Sequence, residues 1–215
     1  MTIPQLRVRT EFSFREGFGP VPTVAAALKD LACPAAAMVD GGTWGHAEWA
    51  KQLEKVGVKP LFGREFVLKQ EDGRKPVAWA LAEDMRGFYN FSTAIQKEGA
   101  YIEQELYAAR GVIRFAGAAL RDPETFDYID INPASPLQQS AALRMHEATG
   151  KPLVVTSDNL YPKLSDYSAF MAIARTERAT PQHILNRAEM HAAMSILSDA
   201  QFGAAYSNCL EIAER

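Results

Sequence analysis

The feature that most constrains this chain is a recurring unit: a short apolar run, a turn, then a stretch with helical spacing. Leu6 to Phe14 opens the series, with Leu6, Val8 and Phe12 alternating with polar residues as in a strand. Pro22 and Thr23 lead into the alanine-rich stretch Val24 to Leu31, which has good helix propensity. Ala35 to Val39 is a compact apolar run ending at Asp40 and a Gly41-Gly42 turn, and Trp44 to Val56 reads as an amphipathic helix stopped by Gly57. Val58 to Phe62 and Glu65 to Leu68 read as short strands around Gly63, and Glu71 to Arg74 as a hairpin-type turn before the strand Pro76 to Ala82. Asp84 to Glu98 carries Phe88, Phe91 and Ile95 at helical spacing. Gly111 to Ala116 and Phe126 to Ile131 add strands, Leu137 to Thr149 a helix ended by Gly150, and Leu153 to Thr156 a further strand. After Tyr161-Pro162 the chain reads as mostly helical. This alternation predicts one α/β domain over 1–215, with a largely parallel sheet or barrel. In such folds functional groups gather at the carboxyl ends of strands, where Asp40, Glu65 and Asp158 fall.

Composition narrows the function classes. With 47% hydrophobic and 23% charged residues, the chain is suited to burying a core rather than remaining disordered. A net charge of −3 provides no broad basic field of the kind used against duplex DNA. A local cluster of Arg7, Arg9, Arg15 and Arg64 could still bind a phosphate or a nucleic-acid backbone. Cys33 and Cys209 form no C-x-x-C pair and no disulfide framework, and both are expected reduced and buried. No leader-like apolar run and no membrane-length apolar segment is visible, so a soluble, cytoplasmic protein is expected. Trp44, Trp49 and Trp79 stand at helix and strand spacing and are expected in the core. No Ser/His/Asp set, P-loop or dinucleotide fingerprint is present.

The segments LRVRTEFSFREG, AAAMVDGGTWG, VKPLFGREFVL and PLVVTSDNLY follow the order and spacing of a known family. The chain resembles the PHP (polymerase and histidinol phosphatase) domain, above all the form found at the N-terminus of bacterial DNA polymerase III α subunits. ALAEDMRGFYNFSTAIQ and NCLEIAER extend the likeness over nearly the whole length. The resemblance implies a distorted seven-stranded (β/α)7 barrel. In metal-binding members the first motif supplies an H-x-H pair, and here those positions are Arg7 and Arg9. Asp-His of the second motif is Asp40-Gly41, and Asp-x-His of the last is Asp158-Asn159-Leu160. Arg7, Arg9, Asp40, Gly41, Glu65, Asp158 and Leu160 are therefore read as former metal-site positions.

An arginine offers no lone pair and stays charged, so it cannot replace an imidazole ligand. Three carboxylates could hold one hard cation weakly, but two guanidinium groups beside them favour an Arg–carboxylate network. Arg7 and Arg9 are expected to neutralise Asp40, Glu65 or Asp158; Asp40 and Asp158 could instead cap the following helix or turn. His46, His146, His183 and His191 fall outside the ligand positions, and His46 is expected as a partly exposed surface residue. No catalytic residue, metal or cofactor is assigned. The resemblance implies a non-catalytic module of DNA replication, either free-standing as in phage-type replication parts or, if cut from a longer protein, the N-terminal module of an α subunit. It would bind a polymerase III-type α chain or its proofreading exonuclease. The alternatives are a residual metal-dependent phosphoesterase or exonuclease, and a phosphate or nucleic-acid binder using the arginines.

Overall fold

The computed structural model describes residues 2–68, 73, 76–93, 105–117, 123–174 and 182–215. Seven strands form one curled sheet: β1 (Gln5–Val8), β2 (Ala35–Met38), β3 (Lys59–Val67), β4 (Val77–Ala82), β5 (Val112–Ala116), β6 (Tyr128–Ile131) and β7 (Leu153–Val155), hydrogen-bonded in that order. The helices are α1 (Val21–Asp30), α2 (His46–Val56), α3 (Met85–Thr93), α4 (Pro136–Thr149), α5 (Tyr167–Ile173), α6 (Arg187–Ala193) and α7 (Asp199–Glu214). The fold is the expected α/β type, a seven-stranded curled sheet with helices. The turn expected at Glu71 to Arg74, and the α3 helix beyond Thr93, lie outside the described residues.

Local chemistry explains most boundaries. Pro22 sits in the first turn of α1, and Pro136 opens α4, where a missing N–H costs nothing. Gly57 (φ 75°) and Gly150 (φ 69°) end α2 and α4 in the left-handed conformation. Ser198 and Gln201 form a reciprocal capping box at the start of α7.

Three expectations are corrected. The first strand stops at Val8 instead of reaching Phe14, because Thr10 and Ser13 leave the sheet to bind the Asp40 carboxylate. The two short strands around Gly63 are one continuous strand, β3. Gly63 is there for close approach: a Cβ would lie 2.6 Å from Leu81 Cδ2 and 2.9 Å from the Ala80 carbonyl oxygen. The sheet is also more mixed than expected, since β3/β4 and β4/β5 are antiparallel while the other four junctions are parallel. The link from β3 to β4, residues 68–76, is too short for the crossover that a parallel pair requires.

The larger core cluster joins β3 to β7 with α6 and α7, around Phe66, Trp79, Phe115, Ile129 and Cys209. A smaller one packs α1 and α2 on β2 through Val24, Leu28, Trp49 and Leu53. The two edges of the sheet approach through a turn after β7. Asn159, at φ 44°, donates its amide to Gln5 Oε1 (2.9 Å) and to the Arg7 carbonyl (3.0 Å). Such a φ is tolerated by Asn better than by most residues. Helix α7 covers the β7 edge: Asn208 donates to the Leu153 carbonyl (2.8 Å), and the Cys209 thiol to that of Val155 (3.4 Å). Lys59 in turn donates to the Ala213 carbonyl (2.8 Å) at the end of α7. Both cysteines are free and buried, as expected, and burial pushes the Cys33 thiol up to about 11.

Gly63→Ala is expected to destabilise the fold by about 1–3 kcal/mol through overpacking against Leu81, Val39 and the β4 backbone. Urea unfolding should show a lower midpoint with an unchanged slope; an unchanged midpoint would mean that β3 and β4 separate easily.

Candidate functional site

Strand register places one set of side chains inside the curl of the sheet. Glu65 is paired directly with Trp79, Trp79 with Phe115, and Phe115 with Tyr128; Asp130 lies two residues further along β6, on the same face. Arg7 enters this space from β1. Its Nη2 lies 3.3 Å from Glu65 Oε2, and its Nη1 3.1 Å from Asp130 Oδ2 and 2.8 Å from Asp158 Oδ1. The last is an ion contact outside hydrogen-bond geometry, since Asp158 Oδ1 has no hydrogen-bond partner. The guanidinium also lies over the Trp79 ring, 5.9 Å from its centroid. Arg9 Nη2 meets the same Glu65 oxygen, and its Nη1 lies 3.3 Å from Glu16 Oε2.

Asp130 was not singled out by sequence reasoning, and it is the most deeply placed acid of the group. It is 3% exposed; Thr156 Oγ1 donates to Oδ1 (2.5 Å), and Trp79 Nε1 (3.0 Å) and Arg7 donate to Oδ2. Burial raises its pKa, with the nearby Asp158 charge acting the same way, and the opposing pull of Arg7, Thr156 and Trp79 does not cancel the rise. For Arg7 the balance is reversed. Burial alone would lower its pKa, but Asp158, Asp130 and Glu65 together outweigh that and raise it. The signal available in sequence was an acid inside the otherwise apolar YIDI run, since a carboxylate on a fully buried strand needs a partner.

The other expected positions divide. Glu65 and Asp158 do meet Arg7. Asp40 does not pair with either arginine; it accepts from Thr10 N (3.0 Å), Thr10 Oγ1 (2.6 Å) and Ser13 Oγ. Burial pushes its carboxyl above the usual range despite those donors and the nearby Arg9 charge. It thus pins the preceding β1–α1 loop, rather than capping the helix or turn that follows it as the alternative expected. Gly41 is exposed with open space around its Cα, whereas Leu160 is buried with Tyr161 and Phe170 in a small apolar cluster under α5. The four arginines do not converge as a phosphate cradle: Arg64 donates to the Gly41 carbonyl (3.3 Å) and Arg15 to that of Ile173 (3.4 Å). Trp49 and Trp79 are buried as expected, but Trp44 is 66% exposed.

His46 overturns its expected surface position. It is 2% exposed, its Nε2 donates to the Gly63 carbonyl (3.0 Å), and its ring packs against Phe62 and Phe88. Its burial lowers the pKa to about 4. His146 faces the Lys151 carbonyl (2.7 Å), His183 Nε2 lies 4.0 Å from Glu189, and His191 Nε2 lies 3.2 Å from Asp199. None of them joins the Arg7 group.

A family model for the PHP domain matches residues 5–124. The chain belongs to the PHP family. DNA polymerase III subunit alpha of Pseudomonas aeruginosa is 27% identical over 205 residues, covering 76% of this chain and 17% of that protein. Its counterpart in Saccharopolyspora erythraea is 33% identical over 108 residues, covering 48% and 9%. The PHP domain described here therefore spans less than one-fifth of these relatives. Among solved structures, a two-domain protein from Bacteroides vulgatus containing a predicted PHP-like metal-dependent phosphoesterase superposes with a TM-score of 0.56. It is 16% identical, over 90% of this chain and 62% of that one, and it supports the fold alone.

The metals implied by such relatives do not fit the residues present. Guanidinium nitrogens of Arg7 and Arg9 occupy the carboxylate oxygens that would face a cation, and no histidine stands beside them. Among the described residues no group of three or more His, Cys, Asp and Glu side chains is arranged to hold a metal ion.

Arg7→Met is expected to cost about 3–5 kcal/mol at pH 7, because Asp130 stays buried without its cation. The loss should shrink on acidification. A carboxyl with a raised folded-state pKa binds its proton more readily folded than unfolded, so lowering pH through that value favours the fold. Urea titrations at pH 7 and 5 measure this, and a pH-independent loss would assign the cost to packing alone.

His46 gives the opposite slope. Its folded pKa lies below the unfolded value of 6.5, so its contribution is present above pH 6.5 and is lost as pH falls towards 4. The loss should reach about 3 kcal/mol near pH 4. Subtracting the stability profile of His46→Gln from that of the natural chain isolates this term, and a flat difference would refute the buried neutral imidazole.

Proposed function

We propose that this PHP domain is a non-catalytic structural or protein-binding module of DNA replication, working with a polymerase III-type α chain or its proofreading exonuclease. The observation that carries this reading is the Arg7 guanidinium among Glu65, Asp130 and Asp158. A metal-dependent phosphoesterase needs cations in such a place to generate hydroxide and to stabilise phosphoryl oxygens. A fixed internal cation on a side chain does neither, since it has no open coordination position for water. It does neutralise the acids, which preserves the barrel as a scaffold.

The replication context rests on the two relatives, both named DNA polymerase III subunit alpha. The share of their length matched is too small to carry polymerisation to this chain. Binding between folded partners is the role left for a domain whose internal site is filled by its own side chains. No described helix is long and apolar enough to cross a membrane, and the reading places the protein in the cytoplasm. No cofactor is required.

Two measurements test the reading together. Metal analysis of the purified chain, with Mn²⁺ and Zn²⁺ titrations, is expected to give no stoichiometric ion and no thermal stabilisation. Size-exclusion chromatography with a polymerase III α subunit and with its exonuclease is expected to give a stoichiometric complex with one of them. Stoichiometric metal together with phosphoester hydrolysis would replace this reading by the phosphoesterase one. Failure to bind either protein would remove the replication partner.

A further inference from the structure

The β1–α1 loop, residues 9–20, is held rigidly at the mouth of the barrel. Asp40 binds Thr10 and Ser13, Arg9 pairs with Glu16, and Phe18 N donates to the Leu160 carbonyl (2.7 Å). Gly17 approaches the Thr10 carbonyl so closely that a Cβ would lie 2.5 Å from it. This fixed loop holds Arg15 at φ 64°, an unfavourable region for a residue with a Cβ, and leaves Phe14 77% exposed. Beside Phe14 runs an open groove of about 490 Å³, walled by Phe14, Phe18, Pro20 and Ile173 and rimmed by Glu11 and Arg15.

The charges on the rim identify the occupant. Neither Glu11 nor Arg15 has an ion-pair partner among the described residues. Among the described residues, the hydrogen bond that Arg15 makes is to the Ile173 carbonyl. Partial burial raises the pKa of Glu11 and the like charges of Asp40 and Glu48 add to the rise, although its carboxylate accepts from the backbone of Glu11 and Val21. An added cation would therefore favour its charged form. One face therefore carries an apolar projection, an apolar receptor and, among the described residues, one charge of each sign without an ion-pair partner. Those are the requirements of an isologous interface, in which each element meets its complement on an identical surface. A rigid aromatic projection entering a groove is also the usual form of an interface anchor.

We infer that this face pairs with a second copy of the chain across a two-fold axis, Phe14 entering the partner's groove and Glu11 meeting the partner's Arg15. The inference goes beyond the module reading and does not depend on it, because polymerase binding is measured separately.

Sedimentation velocity of the full chain, over about 1–100 μM, tests it. The natural chain is expected to shift from monomer to dimer across that range. E11R and R15E each place like charges opposite one another, so each should weaken the dimer at least about tenfold, and F14S should do the same. An equimolar mixture of E11R with R15E restores opposite charges at both contacts, as does the double variant E11R/R15E, and both should dimerise again. Circular dichroism confirms that each variant is folded. A natural chain that stays monomeric throughout overturns the inference, as it would if another polypeptide were the occupant. Single variants that dimerise normally, or a mixture of folded variants that stays monomeric, overturn it equally.

Discussion

The interior of this domain is organised around one guanidinium. Arg7 leaves the first strand, crosses the curl of the sheet and touches acids on β3, on β6 and just after β7. Four parts of the chain that are not neighbours in sequence are thereby tied to one planar group. A guanidinium suits this task because its donors lie in a fixed fork and its charge persists at every accessible pH. Removing charges from water is costly, and the cluster offsets that cost only because Asp130 is also satisfied by Trp79 and Thr156. Arg9 extends the arrangement to the mouth, where it shares Glu65 and reaches Glu16.

Around that centre, polar groups do structural work of different kinds. Asp40 is ionisable but serves as an acceptor for three donors of the β1–α1 loop. His46 is held neutral by its surroundings and acts as a donor to the β3 backbone, beside the glycine that lets β3 and β4 approach. Asn159 replaces strand pairing at the seam by offering its side-chain amide to Gln5 and Arg7. A site whose residue types suggest chemistry is thus occupied by contacts that hold loops and strands in place.

Much of this was legible in the sequence. The positions of Arg7, Arg9, Glu65 and Asp158 follow from motif order, and the expected pairing of the arginines with acids holds for Glu65 and Asp158 but not for Asp40. Two things escaped. Asp130 lies in a four-residue strand with no motif around it, so only its apolar neighbours hinted that it was buried. Asp40 and His46 were misplaced because nearby hydroxyls and a carbonyl, rather than charges, became their partners, and hydrogen bonds spanning 17 to 30 residues leave little trace in spacing. The break expected at Gly63 failed for a related reason. A glycine that ends a strand and one that admits a neighbouring strand look identical in a single sequence.

The seam carries a consequence for how the chain acquires this shape. The first strand finds its partners far along the sequence: Gln5 with Asn159 and Leu185, Arg7 with Asp130 and Asp158, Thr2 with Tyr206. The exposed carbonyls of β7 wait for Asn208 and Cys209. During ribosomal synthesis, then, the acids of the interior emerge while Arg7 has no completed barrel to enter, and the edge of β7 stays open until α7 is released. Contacts of such long sequence separation slow folding and prolong the exposure of unpaired strands. Covering of the β7 edge by α7 is thus a late contact in the order of synthesis, and until it forms the strand's carbonyls are open to pairing with other chains.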